Sequence, residues 1–199
     1  MKKRVQILFG IVIILIVLLF IFDNPFEDNF APKEVLFFPH LQKADITQID
    51  IAYFISGVRL ARVSKDNWQV SSFKTALAEK VELDSGTIPG ESLPPQKADQ
   101  NKVNKLLDIL LDLQKGTPVS TNPDKQGVME LKDIALNVTL YRSDGHQLAK
   151  LWVGKQTPGF LTNYVREEGN EIYEVGASIK GLLNLPTESW VEKPAPILQ

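Results

Sequence analysis

The sequence predicts an α+β fold: an N-terminal single transmembrane helix, then antiparallel strand meanders with one long and one short helix, in the order three strands, helix, four strands, helix. Three observations carry this expectation. Val5 to Phe22 is an apolar run uninterrupted by charge. Residues 48–53, 58–60, 136–141 and 148–153 alternate apolar and polar side chains with the period of two that belongs to a half-buried strand. Between Asp99 and Gly116, Val103, Leu106, Leu107, Leu110 and Leu113 recur at helical spacing.

As a helix, the run from Val5 to Phe22 would reach roughly 27 Å at about 1.5 Å per residue, close to the ~30 Å hydrocarbon thickness of a bilayer. A cleaved signal peptide has the same outline, a basic start before an apolar stretch. The length of the run, and the lack of a small-x-small site in Asp23-Asn24-Pro25-Phe26-Glu27-Asp28, favour an uncleaved anchor. Lys2, Lys3 and Arg4 precede the run and Asp23, Glu27 and Asp28 follow it, so the start is expected in the cytoplasm and the main domain outside, at a plasma membrane.

With no cysteine in the chain, an acylated lipoprotein start, thiolate metal sites and cysteine nucleophiles are excluded. The 22 basic and 24 acidic residues give a formal net charge of −2. Without a basic cluster, nucleic acid is not an expected partner.

Residues 1–22 read as basic start and anchor, 23–39 as a Pro- and Phe-bearing tether, 40–193 as one extracytoplasmic domain, and 194–199 as a tail. In the tether, Pro25, Pro32 and Pro39 oppose regular structure. Ile49, Ile51 and Tyr53 then alternate with Gln48, Asp50 and Ala52, Ser56-Gly57 reads as a tight turn, and Lys65-Asp66-Asn67 turns the chain into Trp68-Gln69-Val70. Residues 74–97 read as an irregular insertion marked by Asp84-Ser85-Gly86, Pro89-Gly90 and Pro94-Pro95, with Ala76-Leu77-Ala78 as the start of a short element.

Asp99 is the expected N-cap of the long helix, with Gly116 and Pro118 ending it. Leu136 to Tyr141 and Leu148 to Val153 flank a turn at Ser143-Asp144-Gly145; a second hairpin pairs Leu161 to Arg166 with Ile172 to Val175. Ser178 to Asn184 reads as a short closing helix. The sheet-then-helix pattern thus occurs twice, without a residue-level repeat.

Candidate chemistry is sparse. His40 and His146 stand in loops with no second ligand at a metal-binding offset, so no metal and no cofactor are expected. Gly154-Lys155-Gln156-Thr157 lacks the spacing and following helix of a phosphate-binding loop, and a turn accounts for its glycine. Glu167, Glu168, Glu171 and Glu174 cluster around a hairpin, where solvated charge is the usual role rather than a paired acid and base. No catalytic residue is assigned. Trp152, Tyr164 and Trp190 are the candidate partner-binding aromatics.

Several stretches, in order, resemble the DUF4340 family. They are Leu36-Phe37-Phe38-Pro39, Ile46-Thr47-Gln48-Ile49-Asp50-Ile51, Trp68-Gln69-Val70, Ala98-Asp99 with Val103, Leu106 and Leu107, Leu151-Trp152-Val153-Gly154-Lys155, Tyr164-Val165-Arg166, Ile172-Tyr173-Glu174-Val175, and Trp190 with Lys193. The resemblance runs from Val35 to Lys193. It implies a membrane-anchored bacterial envelope protein, similar in setting to accessory proteins of ABC-type transport or gliding machinery, and supplies no catalytic residues. The expected function is a non-enzymatic accessory or scaffold protein whose outer domain binds an envelope or membrane protein. The alternative is an extracytoplasmic glycan- or peptide-binding module or hydrolase.

Overall fold

The apolar alternation of Gln48–Tyr53 builds the central strand of a sheet whose neighbours come from two separate meanders. The computed structural model describes residues 35–85, 93–132, 135–176 and 179–193, all of which belong to one unit, Glu34–Gln199. The strands are β1 (Val35–Leu36), β2 (Gln48–Tyr53), β3 (Ser56–Ser64), β4 (Asn67–Lys74), β5 (Gln96–Lys97), β6 (Gln114–Lys115), β7 (Asn137–Tyr141), β8 (Gln147–Gln156), β9 (Thr162–Arg166) and β10 (Tyr173–Gly176). The helices are α1 (Ala76–Ser85), α2 (Gln100–Leu111), α3 (Lys125–Val128) and α4 (Ile179–Leu183), followed by a 3₁₀ turn at Thr187–Trp190.

Eight strands form one antiparallel sheet in the order β10-β9-β8-β7-β2-β3-β4-β5, and β1 pairs with β6 apart from it. Strands β2 and β7 join the two meanders, with Ile49 opposite Leu60 and Leu140, and Ile51 opposite Val58 and Val138. These residues face one way and are buried in the main core with Val70, Leu151, Val153 and Val165. Helix α2 contributes Val103, Leu106, Leu107 and Leu110, all fully buried. Asp99 caps it as expected, its carboxylate accepting from the backbone N–H of Asn101 (3.1 Å) and Lys102 (3.2 Å).

The sheet's other face is only partly covered. A smaller cluster of Leu131, Ala135, Trp152 and Ile172 lies over the second meander. At the first meander, α1 begins where Thr75 accepts from the Ala78 N–H at 3.2 Å.

The expected architecture requires correction. Among the described residues the chain is mainly antiparallel sheet with a few short helices, not three strands, helix, four strands, helix. Among the described residues no helix is long and apolar enough to cross a membrane. The run Val5–Phe22 and most of the tether lie outside the described residues. The α+β content stands. The two-residue strands β1, β5 and β6 are too short for any hydrophobic period to register. Helix α1 shows no apolar stripe, with Ala78 its one fully buried side chain among those described, and it replaces part of the expected irregular insertion. Helix α2 stops at Leu111, with Asp112 at its cap rather than Lys115, the residue directly before Gly116. The chain then extends so that β6 can pair with β1.

Turn placement also differs. The first hairpin turns at Phe54-Ile55, and Gly57 lies inside β3. Its lack of a side chain makes room for the Phe73 ring, 2.4 Å from where a Cβ would sit. Gly154 likewise lies within β8, under the backbone of Met129.

Candidate functional site

Register aligns a row of polar side chains across the less covered face. Asp50 sits opposite Arg59 on one side and Thr139 on the other, and Thr139 sits opposite Lys150. Asp50 and Thr139 are buried. The Arg59 guanidinium grips the Asp50 carboxylate in a fork, Nε to Oδ1 at 2.8 Å and Nη2 to Oδ2 at 2.7 Å, and Gln48 Nε2 adds a third bond at 3.0 Å. Phe73 stacks on Arg59, its ring centroid 5.0 Å from the guanidinium carbon. Lys150 has no carboxylate partner among the described residues; its ammonium lies 4.5 Å from the Trp152 ring centroid.

Toward one end of the sheet the next row turns small and apolar, through Gly57 and Ala52. Between α1 and the segment entering β7 this leaves a hollow of about 340 Å³, lined at its polar end by Asp50, Thr139, Tyr141 and Lys150 and at its apolar end by Phe54, Phe73 and Leu77. Burial, and then the Asp50 charge, raise the Tyr141 hydroxyl above its ordinary pKa of 10.0. The hydrogen bond that Arg59 donates to Asp50 raises Arg59 as well, against the opposing effect of burial.

An alkaline response follows. A tyrosine whose pKa is higher in the folded state than in the unfolded chain favours folding fully below the unfolded value, and that contribution is lost as pH rises through the folded value. Stability is therefore expected to fall above about pH 10, and Tyr141→Phe to flatten part of that fall. Urea unfolding midpoints from pH 8 to 11 read the difference.

The same end of the sheet carries exposed aromatic hairpin tips. Phe54 in the β2–β3 turn has φ 54° and Phe160 in the β8–β9 turn has φ 61°, left-handed conformations that are costly for bulky residues, on the order of 1–2 kcal/mol each. Both turns are tied down. Thr75 Oγ1 donates to the Phe54 carbonyl at 2.6 Å. In the other turn, the Phe160 N–H donates to Thr157 O at 3.0 Å, and the hydroxyls of Thr157 and Thr162 lie 2.5 Å apart. Phe54 is 53%, Phe160 77% and Leu161 81% exposed. Three inter-strand steps separate the two turns, roughly 14 Å at ~4.8 Å per step. Beside Phe54, on the main-core side, a second hollow of about 350 Å³ is lined by Tyr53, Ala135, Leu136 and Val153 among others.

The opposite end carries mainly polar turns around Asp66, Asp144 and Gly169, with Val63 as an apolar exception. The chain enters the domain there. Val35 pairs with Lys115, whose ammonium contacts the Glu167 carboxylate at 2.6 Å and the Tyr173 ring, centroid 4.8 Å away. A hollow of about 540 Å³ lies at this end beside His40 and Glu168; its Glu167 carboxylate is already held by Lys115.

The sequence-derived aromatics do not converge. Trp152 and Tyr164 share the less covered face, with Trp152 7% exposed and stacked by the Arg166 guanidinium at 3.9 Å. Trp190 is fully buried in the main core on the other side, with no side-chain surface for a partner. Glu171 accepts from the Tyr173 hydroxyl at 2.5 Å, while Glu174 projects, exposed, from the edge strand β10. His40 and His146 are exposed. No group of three or more His, Asp or Glu is placed to hold a metal among the described residues. Sequence reading missed the Asp50–Arg59–Thr139–Lys150 row and the two phenylalanine tips.

No curated protein and no solved structure matches the chain significantly. A family described as a domain of unknown function, DUF4340, matches residues 90–195, just over half of the chain. The match includes α2, β7 to β10 and the Thr139, Tyr141 and Lys150 side of the hollow; the meander bearing Asp50, Arg59 and Phe73 precedes it. The chain belongs to the DUF4340 family.

Proposed function

We propose that this DUF4340 protein is an accessory or scaffold component of a cell envelope, held at the plasma membrane by its apolar run, with the basic start inside and the folded domain outside, and that the domain docks on a partner protein of a membrane complex. The observation that carries the reading is the pair of phenylalanines, Phe54 and Phe160, held exposed in left-handed turns at one end of the sheet. Exposed aromatics at that conformational cost are characteristic of interaction sites. The chain enters the domain at the other end, which favours a protein partner over the bilayer surface as the occupant of the aromatic end. Attachment to the membrane raises the effective concentration of the domain toward a membrane partner into the millimolar range, so a modest contact persists.

The test is recovery of a stoichiometric partner with the full chain in mild detergent. Phe160→Ser combined with Leu161→Ser is expected to lower recovery about tenfold or more, as loss of a central aromatic anchor does, with the thermal midpoint unchanged. A chain beginning at Lys33 is expected to recover less partner than the full chain. No stoichiometric partner with either chain contradicts the proposal.

A further inference from the structure

The hollow over Asp50 combines features that partner docking does not need. Its polar floor lies inside a trough between α1 and the β7 approach, while the exposed side chains of Phe160 and Leu161 belong to the other hairpin. At about 340 Å³ it has the size of a small-ligand pocket. Its two ends differ in chemistry: Phe54, Phe73 and Leu77 line one, and Thr139, Tyr141 and Lys150 the other.

The charges at the polar end are unequal. Asp50 is neutralised by the Arg59 fork and by Gln48. Among the described residues Lys150 has an aromatic ring as its one partner, and the Trp152 face holds its ammonium without satisfying its three donors. Of the two charged groups that line the hollow, the Asp50 carboxylate is thus engaged by Arg59 and Gln48, while the Lys150 ammonium has no carboxylate partner among the described residues. The Lys150 ammonium and the Tyr141 hydroxyl line the same hollow, which suits an anion, and Phe73 and Leu77 in that lining suit an apolar group attached to it.

We infer that this hollow binds a small molecule or chain end made of an apolar group carrying one carboxylate, with Lys150 pairing with the carboxylate, Tyr141 donating its hydroxyl, and Phe54, Phe73 and Leu77 enclosing the apolar part. The site acts as a binding site and needs no reaction. Phe54 also belongs to the aromatic end, but Lys150, Tyr141, Phe73 and Leu77 do not, so the two readings are tested at different residues.

The probe is 3-phenylpropanoate, titrated by calorimetry into the full-length protein in mild detergent, with 3-phenylpropylamine and 3-phenyl-1-propanol as charge-reversed and neutral comparators. The acid is expected to bind at millimolar concentration or tighter and the amine not to bind. Lys150→Met is expected to weaken the acid about tenfold or more, the scale of a lost hydrogen bond to a charged group. Lys150→Arg is expected to retain most of the affinity. Lys150→Arg should keep the wild-type thermal midpoint, and Lys150→Met should lower it by no more than a few degrees, the scale of one lost cation–π contact.

N-acetyl-alanyl-phenylalanine, as free acid and as amide, separates the two sources of such a group. Binding of the peptide acid but not the amide identifies a peptide carboxyl end; binding of 3-phenylpropanoate with no binding of either peptide identifies a free small acid. Equal binding of acid and amine, an acid affinity unaffected by Lys150→Met, or no binding of any probe overturns the inference. None of these results depends on recovering a protein partner.

Discussion

Trp190→Ala is expected to lower the unfolding free energy by about 3–5 kcal/mol, the range for removing a large aromatic from a packed core. Trp190 is fully buried and joins the cluster formed by α2 and the sheet. Its backbone also fastens the C-terminal segment to the start of that helix. The Asp99 N–H donates to Trp190 O at 2.7 Å, the Lys102 ammonium contacts Ser189 O, and Val191 bridges to Ala98. Emptying the site removes packing from the same corner that caps α2. Against a typical total stability of about 5–15 kcal/mol, the loss lowers the melting temperature by roughly 10 °C in a domain of this size. Trp190→Phe separates volume from polarity. The indole Nε1 has no hydrogen-bond acceptor among the described residues, so phenylalanine forfeits no bond and the expected cost is about 1–2 kcal/mol. Equal losses for both variants in urea unfolding would contradict this account of the site.

Gly154→Val should cost about 3 kcal/mol or more, at the upper end of overpacking. A Cβ at Gly154 would lie 2.1 Å from the carbonyl oxygen of Met129 and 3.0 Å from Leu131 Cγ. A backbone carbonyl cannot rotate aside as a side chain can. The segment is held from both sides, by the Lys155 N–H on Met129 O at 3.1 Å and by Arg166 Nε on Leu131 O at 2.7 Å. Accommodating valine therefore lifts the 129–131 crossing and opens the cluster of Leu131, Ala135, Trp152 and Ile172. Gly116→Ala is the control, because nothing lies within 4 Å of its Cβ position, and a change within about 0.5 kcal/mol is expected. Urea unfolding with tryptophan emission reads both variants.

Where the sequence was legible, the deciding interactions were local and repeated. Period-two alternation located β2, β7 and β8 closely, and the Asp99 cap with its leucine stripe located α2. The strands of both meanders were visible in that pattern; helix α1, which directly follows the first meander, was not. The partner of each side chain was not visible, since register depends on where a hairpin turns. A turn at Ser56-Gly57 would place Asp50 opposite Val63. The actual turn at Phe54-Ile55 places it opposite Arg59, so a slip that preserves every face still hides the ion pair. Phe54 and Phe160 were hidden for a different reason. Turn chemistry favours glycine or asparagine at positive φ, and a phenylalanine there departs from the local rule. The glycines at 57 and 154 looked like turn residues, but tertiary contacts set their role: a ring over one and a crossing backbone over the other. Trp190 could not be told from Trp152 by composition, because burial of an isolated aromatic depends on the long-range fold.

The reading of the aromatic end as a docking surface makes a positional claim. A photo-reactive residue placed at Phe160 in the full-length protein, in its own membrane, should cross-link to one partner protein. The same residue at Asp144, in the turn at the opposite end of the sheet, should not. An adduct from position 160 and none from 144 is the predicted result; an adduct from 144 alone, or from neither position, contradicts it.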